Sequence, residues 1–274
     1  MTSNYRKWPM TLFLGILTAP LVLMYFYLFV DTVTNSPPGS MIPNEWTLEH
    51  WRFLWQTLPG KPTIWVATWN TFLFASSTTL IVLFISSAAG YSLSRLNMPG
   101  RSFFLGGVMV LHAFPTVTLL IAIFLILQMV GLYNTLTGVI LVKASLELPF
   151  GIWIMKGFYD TVPWEIEMAG IQDGASRFQV WIQLVLPQVK PGIFSLGIFS
   201  FLAGWSEFIL PLVLAPNNDV QVLSVYLSSL IFDETNFDMG LFKSIGLFYV
   251  IPVIILFLFF QNKLMNIYSG GNQG

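Results

Sequence analysis

Six apolar runs, each about as long as a bilayer is thick, constrain this chain more than any other feature. A helix needs about 20 predominantly apolar residues to cross the hydrocarbon, and 10–30, 71–96, 102–130, 135–156, 192–215 and 242–264 all qualify. The runs are continuous rather than alternating, which excludes the strands of a membrane barrel. Only 9% of the 274 residues are charged, against about 25% in soluble domains. The expected fold class is therefore all-α, a polytopic membrane protein with six transmembrane helices in one domain covering 1–274. Arg6 and Lys7 precede the first run as they would in a signal peptide. That run is too long, however, and no small-residue cleavage site follows it, so it reads as a retained helix.

Lys and Arg near the helix ends set the orientation. Arg6 and Lys7, Arg95 and Arg101, then Lys156, Arg177 and Lys190, and finally Lys263 all fall on one side if six spans alternate. The opposite loops differ: 132–134 is uncharged, and 217–238 holds Asp219, Asp233, Glu234 and Asp238 with no Lys or Arg. Both termini are expected in the cytoplasm, with 31–62 as a periplasmic loop and 158–190 as a cytoplasmic one. Within 31–62, Trp46, Leu48, Trp51, Phe53, Leu54 and Trp55 predict an interfacial amphipathic helix over 47–58, opened by Thr47.

Several function classes drop out. A net charge of −1 suggests no nucleic-acid partner. With no cysteine and only His50 and His112, disulfides, thiolate metal sites, Cys nucleophiles and His-rich metal centres are excluded. Neither G-x-S-x-G nor a His/Glu metal constellation is present, so no catalytic residue is assigned.

The cytoplasmic loop reads as two short capped helices. Pro163 suits a first turn, and Glu165 and Glu167 complement the helix dipole there. The helix ends near Gln172, with Gly174 at a left-handed C-cap. Ser176 and Gln179 form a capping box. The helix they open presents Phe178, Trp181, Ile182, Val185 and Leu186 and stops before Pro187. Ala169 and Gly170 leave the first helix small on its exposed face. The pair could lie on the bilayer. Glu165, Glu167 and Asp173 would be repelled by anionic lipid, which favours a protein partner.

Charges at bilayer depth cost about 2.5–3.5 kcal/mol each on insertion scales. Lys143 and Glu147 are four apart on one helix face; they pair with each other or line a polar path for a hydroxylated solute. Glu207, beside Trp205 and Phe208, reads by itself as an inter-subunit hydrogen bond. His112 is an interhelical donor or a path residue, and Asn70 and Asn134 read as caps. Pro115, Pro149, Pro211 and Pro252 predict kinks. The small residues Ser86, Ser87, Ala88, Ala89 and Gly90 suit close helix packing. An ion-gradient-driven secondary transporter using Lys143, Glu147 and Glu207 as a relay is the competing function, although no inverted repeat is visible.

The loop also resembles a family motif. Permease subunits of bacterial ABC importers carry Glu-Ala-Ala, three residues, Gly, nine residues, Ile-x-Leu-Pro. Here Ala169, Gly174, Leu186 and Pro187 match, Leu184 stands at the Ile position, Gly170 at the second Ala, and Met168 at the Glu position with Glu167 just before it. Asp173-Gly174-Ala175-Ser176 is similar to the family's D-G-A-[ST]. The stretches 91–96, 148–153 and 205–208 (YSLSRL, LPFGIW, WSEF) resemble the MalG-like permeases of the carbohydrate branch. The resemblance implies a bacterial inner-membrane subunit forming half of a solute pathway, which the region of Trp205, Glu207 and Phe208 would approach. It implies a second homologous permease, two cytoplasmic ATPase subunits and an extracytoplasmic solute-binding protein as partners, with the loop's first helix seated on the ATPase. This chain has no G-x-x-x-x-G-K-[ST] and so no P-loop; it needs no cofactor of its own, and ATP and Mg²⁺ belong to the ATPase partners.

Overall fold

The structure, a computed structural model, describes residues 7–35, 45–97, 99–231 and 237–269. Arg6, Asp233 and Glu234, part of the charge pattern above, lie outside the described residues. In chain order the helices are α1 (Lys7–Thr32), α2 (Ile64–Arg95), α3 (Arg101–His112), α4 (Thr116–Met129), α5 (Leu136–Asp160) and α6 (Trp164–Gln172). They continue with α7 (Arg177–Gln188), α8 (Lys190–Trp205), α9 (Ile209–Leu214), α10 (Leu223–Ile231) and α11 (Met239–Ser269). The described residues contain no strand, only one isolated antiparallel bridge between Thr34 and Trp46.

Four of the helical stretches, Pro9–Thr32, Ile64–Arg95, Leu136–Asp160 and Met239–Gln261, are long and apolar enough to cross a membrane; α7 and α8 reach that length only when taken together across a bend of 74°. Two runs expected to be continuous are broken. The run 102–130 divides into α3 and α4 at Pro115, whose backbone is extended (φ −61°, ψ 127°); the residue before a proline is itself disfavoured in the helical region. The run 192–215 divides at Ser206–Glu207–Phe208, between α8 and α9. Pro149 and Pro252, by contrast, lie inside helices, as does Pro211.

The described residues of Met1–Ile64 and Leu227–Pro252 form one compact unit, and those of Trp65–Tyr226 and Val253–Gly274 another. In the first, the interfacial helix expected over 47–58 is only a 3-10 turn, Glu49–Leu54. Thr47 is not its cap: the N-cap position is Leu48, with no side-chain cap bond, and the Thr47 hydroxyl only accepts from Glu49 N at 3.1 Å just ahead of the turn. Pro59 disfavours the helical region only at Leu58 before it, and the turn is pinned by its side chains. Phe53 is buried and meets Phe248 edge-on at 5.8 Å. Arg52 donates to Asp238 at 2.9 Å, and Lys243 pairs with Asp31. Burial alone would raise the Asp238 carboxyl. The Leu241 N–H, the Arg52 guanidinium and His50 outweigh it and hold the group below the ordinary carboxylate range.

In the second unit the core lies in two clusters. One gathers Val82, Met155, Tyr159, Val180, Val185 and Leu196; the other gathers Phe74, Leu127, Val139, Leu210 and Leu214. The small residues of α2 do allow close packing: Ser86 and Ser87 are buried, and a Cβ on Gly90 would stand 2.8 Å from the backbone N of Lys156 in α5. Asn70 and Asn134 are loop staples rather than helix caps. Asn70 Nδ2 donates to the carbonyls of Asp219 and Gln221 at 2.9 and 3.1 Å. Asn134, itself in the left-handed region (φ 59°), accepts from Asn217 N at 3.0 Å.

Candidate functional site

The elbow formed by α6 and α7 is built by local chemistry. Pro163 occupies the N-cap, one place before the expected first turn. At the other end Gly174 has φ +85°. The N–H of Ala175 donates to Gly170 O and that of Gly174 to Ile171 O, each at 3.0 Å. That bond pair is the Schellman closure, which satisfies carbonyls the helix leaves open. Two residues later Ser176 and Gln179 complete the reciprocal capping box. The chain therefore turns between the helices with its backbone groups bonded and little freedom left.

The two faces of α6 separate cleanly. Glu165, Met168, Ala169 and Gln172 are exposed, a helical stripe pointing away from the protein. Glu167 and Gly170 are buried. Gly170 thus lies on the inner face rather than the expected outer one, against Val180 and Leu184 of α7, because a Cβ there would crowd both. Glu167 is also turned inward: its Oε1 lies 2.5 Å from Arg95 Nε, with the two side chains 3% and 8% exposed. The angle makes this an ion pair rather than a linear hydrogen bond. Tyr91 donates to Glu167 Oε2 at 3.3 Å. Asp173 is exposed, whereas Leu184 and Leu186 are half-buried.

The second helix does not stop before Pro187. It runs to Gln188 through a π-helical turn, Trp181–Val185, in which Leu186 N donates to Trp181 O. A π turn lets the ladder slip by one residue ahead of a proline that cannot donate. Its expected aromatic face is split: Phe178 and Ile182 are exposed, Val185 is fully buried, and Trp181 turns in to donate to Tyr159 Oη at 3.0 Å.

Further along the chain, a charge cluster joins α5, α8 and α9. Lys143 Nζ lies 3.2 Å from Glu147 Oε1 and 2.6 Å from Glu207 Oε2. Ser200 donates to Glu147 Oε2 at 2.6 Å. Glu207 sits in the break between α8 and α9, and its Oε1 accepts from Leu210 N at 3.2 Å, capping α9. The Lys143–Glu147 pairing follows from spacing. Ser200 was not singled out; it is one of two hydroxyls, with Ser195, in a largely apolar helix, and nothing local distinguishes it.

His112, Lys143 and Glu147 come together with Ser200, Phe150 and Phe199 around a cavity of about 360 Å³. The His112 ring stacks on Phe150 at 5.8 Å, and its Nδ1 is 3.2 Å from the Leu146 carbonyl. Trp205 is not part of this lining: it is 2% exposed and stacked on Phe201 at 5.9 Å. Phe208 packs on the second core cluster instead.

A helical membrane chain that presents a stiff external elbow and encloses paired charges has the build of a transporter component rather than an enzyme. Residues 82–264 match the family described as binding-protein-dependent transport system inner membrane component, and the chain belongs to that family. It is similar to the sulfoquinovosyl glycerol transport system permease SmoH of Agrobacterium fabrum, 31% identical over 253 residues, covering 92% of this chain and 87% of that protein. It is also similar to the maltose/maltodextrin permease MalG of Salmonella typhimurium, 27% identical over 283 residues, covering 95% of this chain and 94% of that one. In fold it resembles a chain of a bacterial ABC transporter involved in import of the acidic polysaccharide alginate. That match has a TM-score of 0.78 at 21% identity and covers 96% and 98% of the two chains.

Proposed function

We propose that this chain is the permease subunit of a bacterial ABC importer for a carbohydrate or similar polyol. It forms half of the translocation pathway and takes its driving force from ATP hydrolysis in partner subunits through the α6–α7 elbow. The observation that carries this reading is the outward stripe Glu165, Met168, Ala169 and Gln172 on a helix closed at its C-terminal end by the Gly174 turn and followed at once by the capped start of α7. A rigid, small-faced helix held clear of the bundle suits the groove of a partner. The names of its relatives support the sugar class.

In this reading six spans cross the inner membrane: α1, α2, α3 with α4, α5, α8 with α9, and α11. Both termini and the elbow face the cytoplasm, and 31–62 faces the periplasm. A second homologous permease completes the pathway. Two ATPase subunits bind ATP and Mg²⁺, and an extracytoplasmic binding protein delivers the solute. His112, Lys143 and Glu147 line the pathway at the cavity, while Glu207, Trp205 and Phe208 support it from behind.

The test is co-purification with the ATPase, second permease and binding protein encoded nearby, followed by uptake of labelled oligosaccharide into proteoliposomes. Uptake that needs ATP and the binding protein is expected, with Glu207→Ala altering solute-stimulated turnover. Uptake driven by an ion gradient without ATP would overturn the reading in favour of a secondary transporter.

A further inference from the structure

The elbow is joined covalently to α5 and α8, yet its strongest side-chain attachment is to α2, a helix separated from it in sequence by α3, α4 and α5. Ser87, Tyr91 and Arg95 fall at i, i+4 and i+8 of α2 and therefore on one face. Each holds a different part of the elbow or its root. Ser87 Oγ is 2.7 Å from Tyr159 Oη at the end of α5. The Tyr91 ring stacks on Trp181 of α7 at 5.6 Å, and its hydroxyl donates to Glu167 of α6. Arg95 pairs with Glu167, donates from Nη2 to Val162 O at 2.6 Å, and lies 5.5 Å over the Trp164 ring.

Pulling α6 away from α2 would separate Arg95 from Glu167, 8% and 3% exposed, and leave each charge buried alone. That is the expensive way to break such a pair. Displacement that carries α2 along keeps the pair intact. One helix face further into the span, Val82 of the same α2 lines the cavity that also holds Lys143 and Glu147.

We propose that Arg95 and Tyr91 are positioning residues for transport: they clamp the elbow to α2, so that elbow and α2 move as one body and reshape the cavity through Val82. This rests on the elbow being the receiver of ATPase motion. The buried Glu167 is then an internal tie, and only the neighbouring stripe is free to dock.

The test uses the whole reconstituted complex. Spin labels at Leu96 and, on α7 away from the docking stripe, Gln183, both exposed, should report the same distance in the nucleotide-free and ATP-trapped states; a change between states overturns the clamp. In function, Arg95→Gln and Tyr91→Phe should keep ATP hydrolysis while uptake per ATP falls about tenfold, within the usual range of coupling between sites, and Arg95→Lys should restore part of it. Assembled variants with unchanged uptake per ATP also overturn the clamp. If Arg95→Gln does not assemble, Tyr91→Phe and the label distances decide. Failure of the elbow reading itself would look different: no cross-link from Ala169 to an ATPase, whatever occupies position 95.

Discussion

Lys143 reaches across 64 residues of sequence to place its Nζ 2.6 Å from Oε2 of Glu207, tying the middle of α5 to the break between α8 and α9. With Glu147 on its other side, one cation serves two carboxylates whose side chains are only 15–16% exposed. Lys143→Met removes the cation and leaves both carboxylates uncompensated, so it should destabilise the protein by about 3–5 kcal/mol. Glu147→Gln should cost less, because Lys143 keeps Glu207. Thermal unfolding of the purified chain in detergent ranks the two; equal losses would contradict the reading that Lys143 compensates Glu207 in addition to Glu147.

The cost of changing Gly174 should come from the backbone and not from crowding. Its φ is +85°, yet a Cβ there would meet nothing within 4 Å. Gly174→Ala should therefore cost about 1–2 kcal/mol and Gly174→Val more. Gly174→Asn should be the best tolerated, since asparagine enters the left-handed region most readily. Melting temperatures of the three variants check the order.

Adjacent acids of α6 should behave in opposite ways. Glu167→Gln breaks the buried pair with Arg95 and should cost several kcal/mol, about 3 or more. Exposed Glu165→Gln should stay within about 0.5 kcal/mol. The same unfolding measurement separates them.

What the sequence made readable was the chemistry that acts over a few residues. The Gly174 turn and the Ser176–Gln179 box are in place because a cap depends only on its own neighbours. Facing was harder. Glu167 turns inward because Tyr91, 76 residues earlier, and Arg95 meet it there, and no local pattern carries that. The prolines make the same point: Pro115 marks a break, whereas Pro149 and Pro252 sit inside continuous helices, since neighbouring helices decide whether a freed carbonyl is satisfied. Lys143–Glu147 was legible as an i, i+4 pair; the third member, Glu207, required the tertiary fold.

Acid should selectively weaken the Arg52–Asp238 attachment. The folded-state pKa of Asp238 is held down, after burial is outweighed, by Leu241 N–H, Arg52 and His50. A lowered pKa gives stability that is complete above the unfolded value of about 3.9 and lost as pH falls through the folded one. The melting-temperature gap between wild type and Arg52→Gln should accordingly be largest near neutral pH and shrink toward pH 3. A gap that widens on acidification would contradict this.

The chain contains no cysteine, so one introduced thiol is unique within it. With Ala169→Cys in the assembled complex, a short bifunctional cross-linker is expected to join this chain to an ATPase subunit, with the thiol modified only by reagents supplied from the cytoplasmic side. Modification from the periplasmic side, or no cross-link to any ATPase in an actively transporting complex, would contradict the role assigned to the elbow.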